Sequence, residues 1–134
     1  LRNTLQGKRF GELREGVWLR PANLDVDLTG EILDRVRVLR AQDDDPVGLA
    51  ARLWDLPGWV GVAATLLDDM ASATDIPGRF VAAAAIVRHL VTDPVLPDEL
   101  LPADWPGAAL RAAYNDFAAE LVARRDDRDV TEAR

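Results

Sequence analysis

The sequence contains no cysteine, which removes disulfides, thiolate nucleophiles and cysteine-ligated zinc or iron–sulfur centres together. A cytoplasmic chain is the simplest reading. Histidine occurs once, at His89, so there is no second imidazole or thiolate for a transition-metal site. The acidic pairs Asp68-Asp69 and Asp126-Asp127 are sequence neighbours and do not share a helical face. Serine also occurs once, at Ser72 between Ala71 and Ala73, outside any nucleophile-elbow pattern. No glycine-rich phosphate loop follows a strand, so neither an enzyme nor a cofactor is expected. The longest apolar run, residues 80–87, is far too short to span a bilayer, and no basic leader followed by an apolar stretch opens the chain. Lysine is confined to Lys8; the dominance of arginine is a compositional preference without mechanistic weight.

What remains is one domain's worth of chain, or two small subdomains: 134 residues with apolar content in the globular range. Acidic side chains outnumber basic ones 23 to 16, a net charge of −7, which disfavours nucleic-acid binding by this chain alone. The chain opens at Leu1 rather than Met, within what reads as a helix end, which points to upstream sequence.

Residues 1–10 read as the tail of a helix stopped near Gly11. Residues 16–21 and 35–40 read as two strands, the second alternating in period two, with one or two helical turns between them, started by Thr29. That order predicts part of a small α+β unit of the ferredoxin-like kind over residues 1–44. From residue 45 the pattern is helical. Asp45-Pro46, Asp55-Leu56-Pro57 and Asp75-Ile76-Pro77 repeat one start signal, an N-capping aspartate with proline in the first turn. The third of these helices carries Phe80, Ala84, Val87 and Val91 at helical spacing and is expected to sit centrally in a bundle. A last helix carries Leu110, Tyr114, Phe117 and Leu121 as one stripe, and residues 126–134 read as a frayed tail. The fold class expected is therefore α+β, with a two-strand unit, a helical domain over 45–125 and a packed proline-rich loop over 93–106.

That loop is the most specific string in the chain: Asp93-Pro94-Val95-Leu96-Pro97-Asp98-Glu99-Leu100-Leu101-Pro102-Ala103-Asp104-Trp105-Pro106-Gly107, preceded by Arg88-His89-Leu90. It resembles the DP-x-LP-x-ELLP-x-DWPG loop of the PaaX-like transcriptional repressors, regulators of phenylacetic acid catabolism, with every fixed position present. Gly16-Val17-Trp18-Leu19-Arg20-Pro21 and Leu53-Trp54-Asp55-Leu56 are similar to two further elements of that family, in family order. The resemblance implies a homodimeric regulator whose inducer, phenylacetyl-CoA in the founding case, binds away from the operator-binding domain. The family's winged-helix domain is not legible in these residues, so DNA is expected to be contacted only through a part of the protein outside them. Ala63 is a departure, standing where the family commonly has an aromatic residue.

If an acyl-CoA binds, its phosphates need arginines and its acyl group an apolar slot. Arg20, Arg79, Arg88 and Arg111, near the loop and the helix ends, are the candidates, with His89 and Trp105 completing the expected effector-binding set. Each has a plainer reading. The arginines serve as surface or salt-bridged cations, His89 bonds a loop carbonyl or Asp93, and Trp105 anchors the core. Trp59, with Gly58 and Gly61 beside it, is expected to be the most exposed tryptophan and a dimer contact. The alternative function is a stand-alone interaction module that pairs with a full-length relative without any ligand.

Overall fold

The computed structural model describes residues 1–133. The architecture is α+β: one antiparallel hairpin and, beyond it, helices. The chain forms two compact units, one made of Leu1–Leu56 with Pro94–Ala103, the other of Pro57–Asp93 with the chain from Asp104 onward.

The first unit contains α1 (Arg2–Gly7), β1 (Gly11–Arg14), β2 (Val17–Leu19), the single turn α2 (Gly30–Leu33), α3 (Pro46–Leu53) and a 3-10 turn at Asp98–Leu100. β2 lies within the first expected strand, and it pairs with a segment not read as a strand. Its partner is β1, with Gly11 opposite Leu19, Glu12 opposite Trp18 and Arg14 opposite Val17, while Leu13 bulges. The reason is local: Glu15-Gly16 is a two-residue connection, and Gly16 adopts φ +80°, a left-handed conformation that costs glycine little. Closing so short a loop is cheaper than recruiting a strand some twenty residues away. Residues 35–40 accordingly form no strand, and Val38 and Leu39 are exposed. Their alternation had no sheet face to bury against.

Leu5, Ile32, Ala50, Leu56 and Leu96 are the buried apolar residues of this unit. Asp45 caps α3 through its carboxylate, which accepts from the Gly48 N–H at 3.0 Å. α3 packs on β1 and on the 3-10 turn, and the Asn23 amide donates to the Val95 carbonyl at 2.9 Å. The proline-rich loop is thus tied to the unit that opens the chain.

The second unit is helical: α4 (Leu56–Ser72, its first residue at the unit boundary), α5 (Ile76–Val91) and α6 (Gly107–Glu132). Asp75 caps α5, accepting from the Gly78 N–H at 2.9 Å. Trp59, Ala63, Met70, Ala82, Ala83, Ile86, Leu110 and Phe117 form the core. α5 and α6 run antiparallel, because Arg79 near the start of α5 pairs with Glu120, whereas Asp93 just past its end lies beside Gly107.

Two expectations are corrected here. α5 buries Ala82, Ala83 and Ile86, the opposite face from the one expected, and leaves Phe80, Val87 and Val91 exposed. A helix apolar nearly all round carries no periodic signal to choose its face. The alanines let neighbouring backbones approach closely, and the two polar side chains drawn inward, Arg79 and His89, both find partners. α6 runs in regular helix to Glu132 rather than ending near residue 125. Nothing in that stretch breaks a helix, and Glu120 pairs with Arg124 one turn on. Within the α6 stripe Leu110 and Phe117 are buried, while Tyr114 is exposed.

Candidate functional site

The most structured polar arrangement lies where the C-terminal end of α5 meets the start of α4 and the return of the proline-rich loop. The Trp59 indole is sandwiched between the His89 imidazole, 4.2 Å between ring centroids at 23°, and the Trp105 indole, 4.4 Å at 13°. Trp59 is 8% exposed, so the expectation that it would be the most open tryptophan is overturned. The glycines beside it do not leave it bare, because two rings cover its faces.

Hydrogen bonds fix all three rings. Trp59 Nε1 donates to Thr92 Oγ1 at 3.0 Å, and that hydroxyl donates in turn to the His89 carbonyl at 2.6 Å. His89 Nε2 lies 2.9 Å from the Trp59 carbonyl. A carbonyl only accepts, so Nε2 carries a proton and the tautomer is set. The plainer reading of His89 had the right kind of acceptor in the wrong place, since the carbonyl belongs to α4 rather than to the loop. Trp105 Nε1 points toward the carboxylate of Asp93, the one buried charged residue among those described, at 3.5 Å.

The local backbone aims these groups. Asp104 adopts φ +60°, a left-handed conformation that aspartate tolerates, immediately before Trp105. Gly107 opens α6 where a Cβ would come within 3.1 Å of Trp105 Nε1 and 3.3 Å of the Asp93 carboxylate, tight contacts that a larger residue would make only if the ring or the acid gave way by a few tenths of an ångström. Val95 adopts φ +52°, a strained conformation for a β-branched residue, at the other end of the loop.

Of the six expected effector-binding residues, the structure brings together His89 and Trp105, with Trp59 between them. Arg88 is adjacent to His89 in sequence and exposed, and Arg111 is exposed one turn into α6. Arg79 lies ten residues before His89 on the same helix, roughly 15 Å along it. It is engaged there with Glu120 at 2.9 Å and the Met70 carbonyl, with its guanidinium over the Phe117 ring. Arg20 belongs to the first unit. It donates to the carbonyls of Pro21 and Lys8 and to the Asn23 side chain, and burial together with nearby Arg9 lowers its pKa from the ordinary guanidinium value. Arg79 and Arg20 thus each spend part of their donors on contacts within their own unit.

Trp59 and Thr92 are the members of the arrangement that sequence reasoning did not assign to it. Both stand one turn or less from residues that were singled out, yet the stack depends on two helix ends meeting, which no local pattern encodes. Ala63, the departure from the family pattern, is fully buried in the core one turn after Trp59. A concavity of about 230 Å³ in the first unit is lined by Thr4, Thr29, Glu31 and Arg35 among others and contains none of the six. It falls short of the roughly 300–1,000 Å³ of a typical small-molecule site. Among the described residues no helix is long and apolar enough to cross a membrane.

Residues 63–128 match the family model described as the PaaX-like protein C-terminal domain. No curated protein matches the chain. Among solved structures it is similar to the uncharacterized protein Rv0674 from Mycobacterium tuberculosis, 63% identical over 94% of this chain, with a TM-score of 0.91. The chain spans about half of that protein's length, 54%.

Proposed function

From the premise that residues 63–128 make this chain a member of the PaaX-like family, we propose that it is the effector-sensing and dimerisation region of a cytoplasmic transcriptional repressor of aromatic-acid catabolism. The inducer is phenylacetyl-CoA or a kindred aryl-CoA ester, and the operator is contacted through a winged-helix domain outside these residues. The family match, centred on the proline-rich loop and the helices it joins, is the observation that carries this reading.

The physics asked of such a region is a coupling free energy of about 1–3 kcal/mol between ligand and operator sites, which requires a ligand that prefers one of two protein states. The Trp59–His89–Trp105 stack suits a sensing role. It is aromatic, it lies where helix ends meet, and the exposed Arg88 and Arg111 stand on the helices that bear it or follow it. Its chemistry is recognition rather than turnover: Ser72 is an exposed residue at the end of α4, and His89 Nε2 is committed to a carbonyl.

The test is titration of phenylacetyl-CoA and other aryl-CoA esters into the purified chain, followed by calorimetry and tryptophan emission. Saturable heat with a change in emission that is lost in Trp59→Phe is expected. Silence from every ester would remove the effector part and leave the second reading, an interaction module without ligand. The exposed apolar side of α5 is the observation that favours that second reading.

A further inference from the structure

The segment Arg35-Val36-Arg37-Val38-Leu39-Arg40-Ala41-Gln42-Asp43 has the alternation of a strand and no strand beside it. The chain makes neither a turn nor a bend from residue 36 to residue 43, about 26 Å at full extension. Among the described residues, no protein group is hydrogen-bonded to the backbone of residues 36–42. Every residue from 37 to 47 is exposed, with Val38 at 58% and Leu39 at 78%. Apolar side chains on an unpaired, extended backbone are what an added strand covers.

The charges say which strand. Arg35 and Arg37 stand at one end of the segment and Asp43 at the other, so the segment complements itself when two copies run antiparallel. In a symmetric antiparallel pair one residue faces its own counterpart, because the pair on the two-fold axis maps onto itself. Centring on Arg40 sets two cations directly opposite, which destabilises a ladder. Centring on Val38 leaves both Arg35 and Arg37 opposite apolar residues. Centring on Leu39 places Arg35 opposite Asp43 of the second copy, Arg37 diagonal to that carboxylate, and the two Leu39 side chains against each other. On the other face Val36 meets Gln42, and Val38 meets the apolar stem of Arg40.

The backbone agrees with that register. The Arg35 N–H already donates to the Ile32 carbonyl at 2.9 Å, so the Arg35–Asp43 pair takes a position without ladder bonds. By alternation Leu39 does the same, and at such positions facing side chains come closest. The ladder then falls to residues 36, 38, 40 and 42, whose backbone groups have no other protein partner. Asp43 accepts the Asp45 N–H through one carboxylate oxygen at 2.7 Å and keeps the second for an arginine.

We infer that residues 35–43 pair antiparallel with the same residues of a second copy of this chain, centred on Leu39. This rests on the dimerisation part of the proposed function and names the segment that carries it.

The absence of native cysteine permits a clean test. Sedimentation follows the full chain as wild type, Arg35→Glu, Arg35→Glu combined with Asp43→Arg, Val38→Pro and Ala41→Pro. Mild oxidation compares Leu39→Cys with Val47→Cys, an exposed position outside the segment. Circular dichroism checks that each variant folds. Val38→Pro removes a ladder donor, whereas Ala41→Pro removes an N–H that points away from the second copy. Expected are a wild-type dimer, and a dissociation constant raised roughly tenfold or more by Arg35→Glu and by Val38→Pro. Adding Asp43→Arg should recover most of the Arg35→Glu loss, and Ala41→Pro should change the constant by less than about threefold. Leu39→Cys should form a disulfide-linked dimer at concentrations where Val47→Cys stays unlinked. A dimer that both Arg35→Glu and Val38→Pro leave undiminished, equal losses in the two proline variants, or no faster linking of Leu39→Cys would overturn this pairing and leave the dimerisation reading standing. A wild-type chain that stays monomeric at high concentration would overturn both.

Discussion

At the scale of single residues, the helical unit depends on side chains whose polar atoms are satisfied only in this arrangement. Arg79 is drawn toward the core by three partners of different kinds: the Glu120 carboxylate, the Met70 carbonyl and the Phe117 ring. Removing it leaves Glu120 partly buried without its main cation, so Arg79→Ala is expected to cost about 1–3 kcal/mol in urea unfolding, and Glu120→Gln, which keeps an acceptor, less than half of that. Trp59 separates packing from hydrogen bonding. Trp59→Phe retains a stacking ring but abandons Thr92, for an expected loss of about 1 kcal/mol, whereas Trp59→Ala empties the space between two rings and should cost about 3–5 kcal/mol. Equal losses in the two variants would mean that the stack contributes little beyond the indole N–H.

At the scale of elements, the aspartate-proline starts behave as independent stop-and-start punctuation. Asp45→Ala and Asp75→Ala each lose a carboxylate bonded to a backbone N–H in the first turn, and each should lower stability by about 1 kcal/mol. Hydrogen exchange should locate the two losses in α3 and α5 respectively. These helix starts were legible because capping is local chemistry, and so was the ordered loop, because four prolines within it forbid regular helix. Strand pairing was not legible. Period-two alternation in residues 35–40 looked like a strand, but alternation describes what a strand needs and does not supply the partner. The orientation of α5 failed for a related reason, since valine and alanine on every side leave the choice of face to neighbouring helices. The candidate site was half visible. His89 and Trp105 stood out as rare residues in a distinctive string, whereas Trp59 joined them only once α4 and α5 were packed.

At the scale of the whole molecule, neither compact unit is a continuous stretch of chain. The segment Pro94–Ala103 leaves the helical unit after Asp93, packs with the first unit and returns at Asp104. A piece comprising residues 57–134 would keep the helical core but strip this loop of Asn23 and α3, which hold it in the intact chain. Amides of residues 94–103 in that piece should therefore exchange faster than in the whole chain, while those of α5 and the first half of α6 keep most of their protection. Slow exchange in the loop of the isolated piece would show that the prolines alone make it rigid.

The interleaving also sets an order of events during synthesis. The hairpin and α3 leave the ribosome early, but the segment bearing Leu96 that completes their core is translated only after residues 57–93. Until it emerges, the nascent first unit lacks its closing piece and keeps apolar surface open to chaperones. Slow codons placed shortly before residue 94 should lengthen that exposed interval and lower the soluble yield, whereas the same codons placed before residue 40, when the hairpin has not yet emerged, should not.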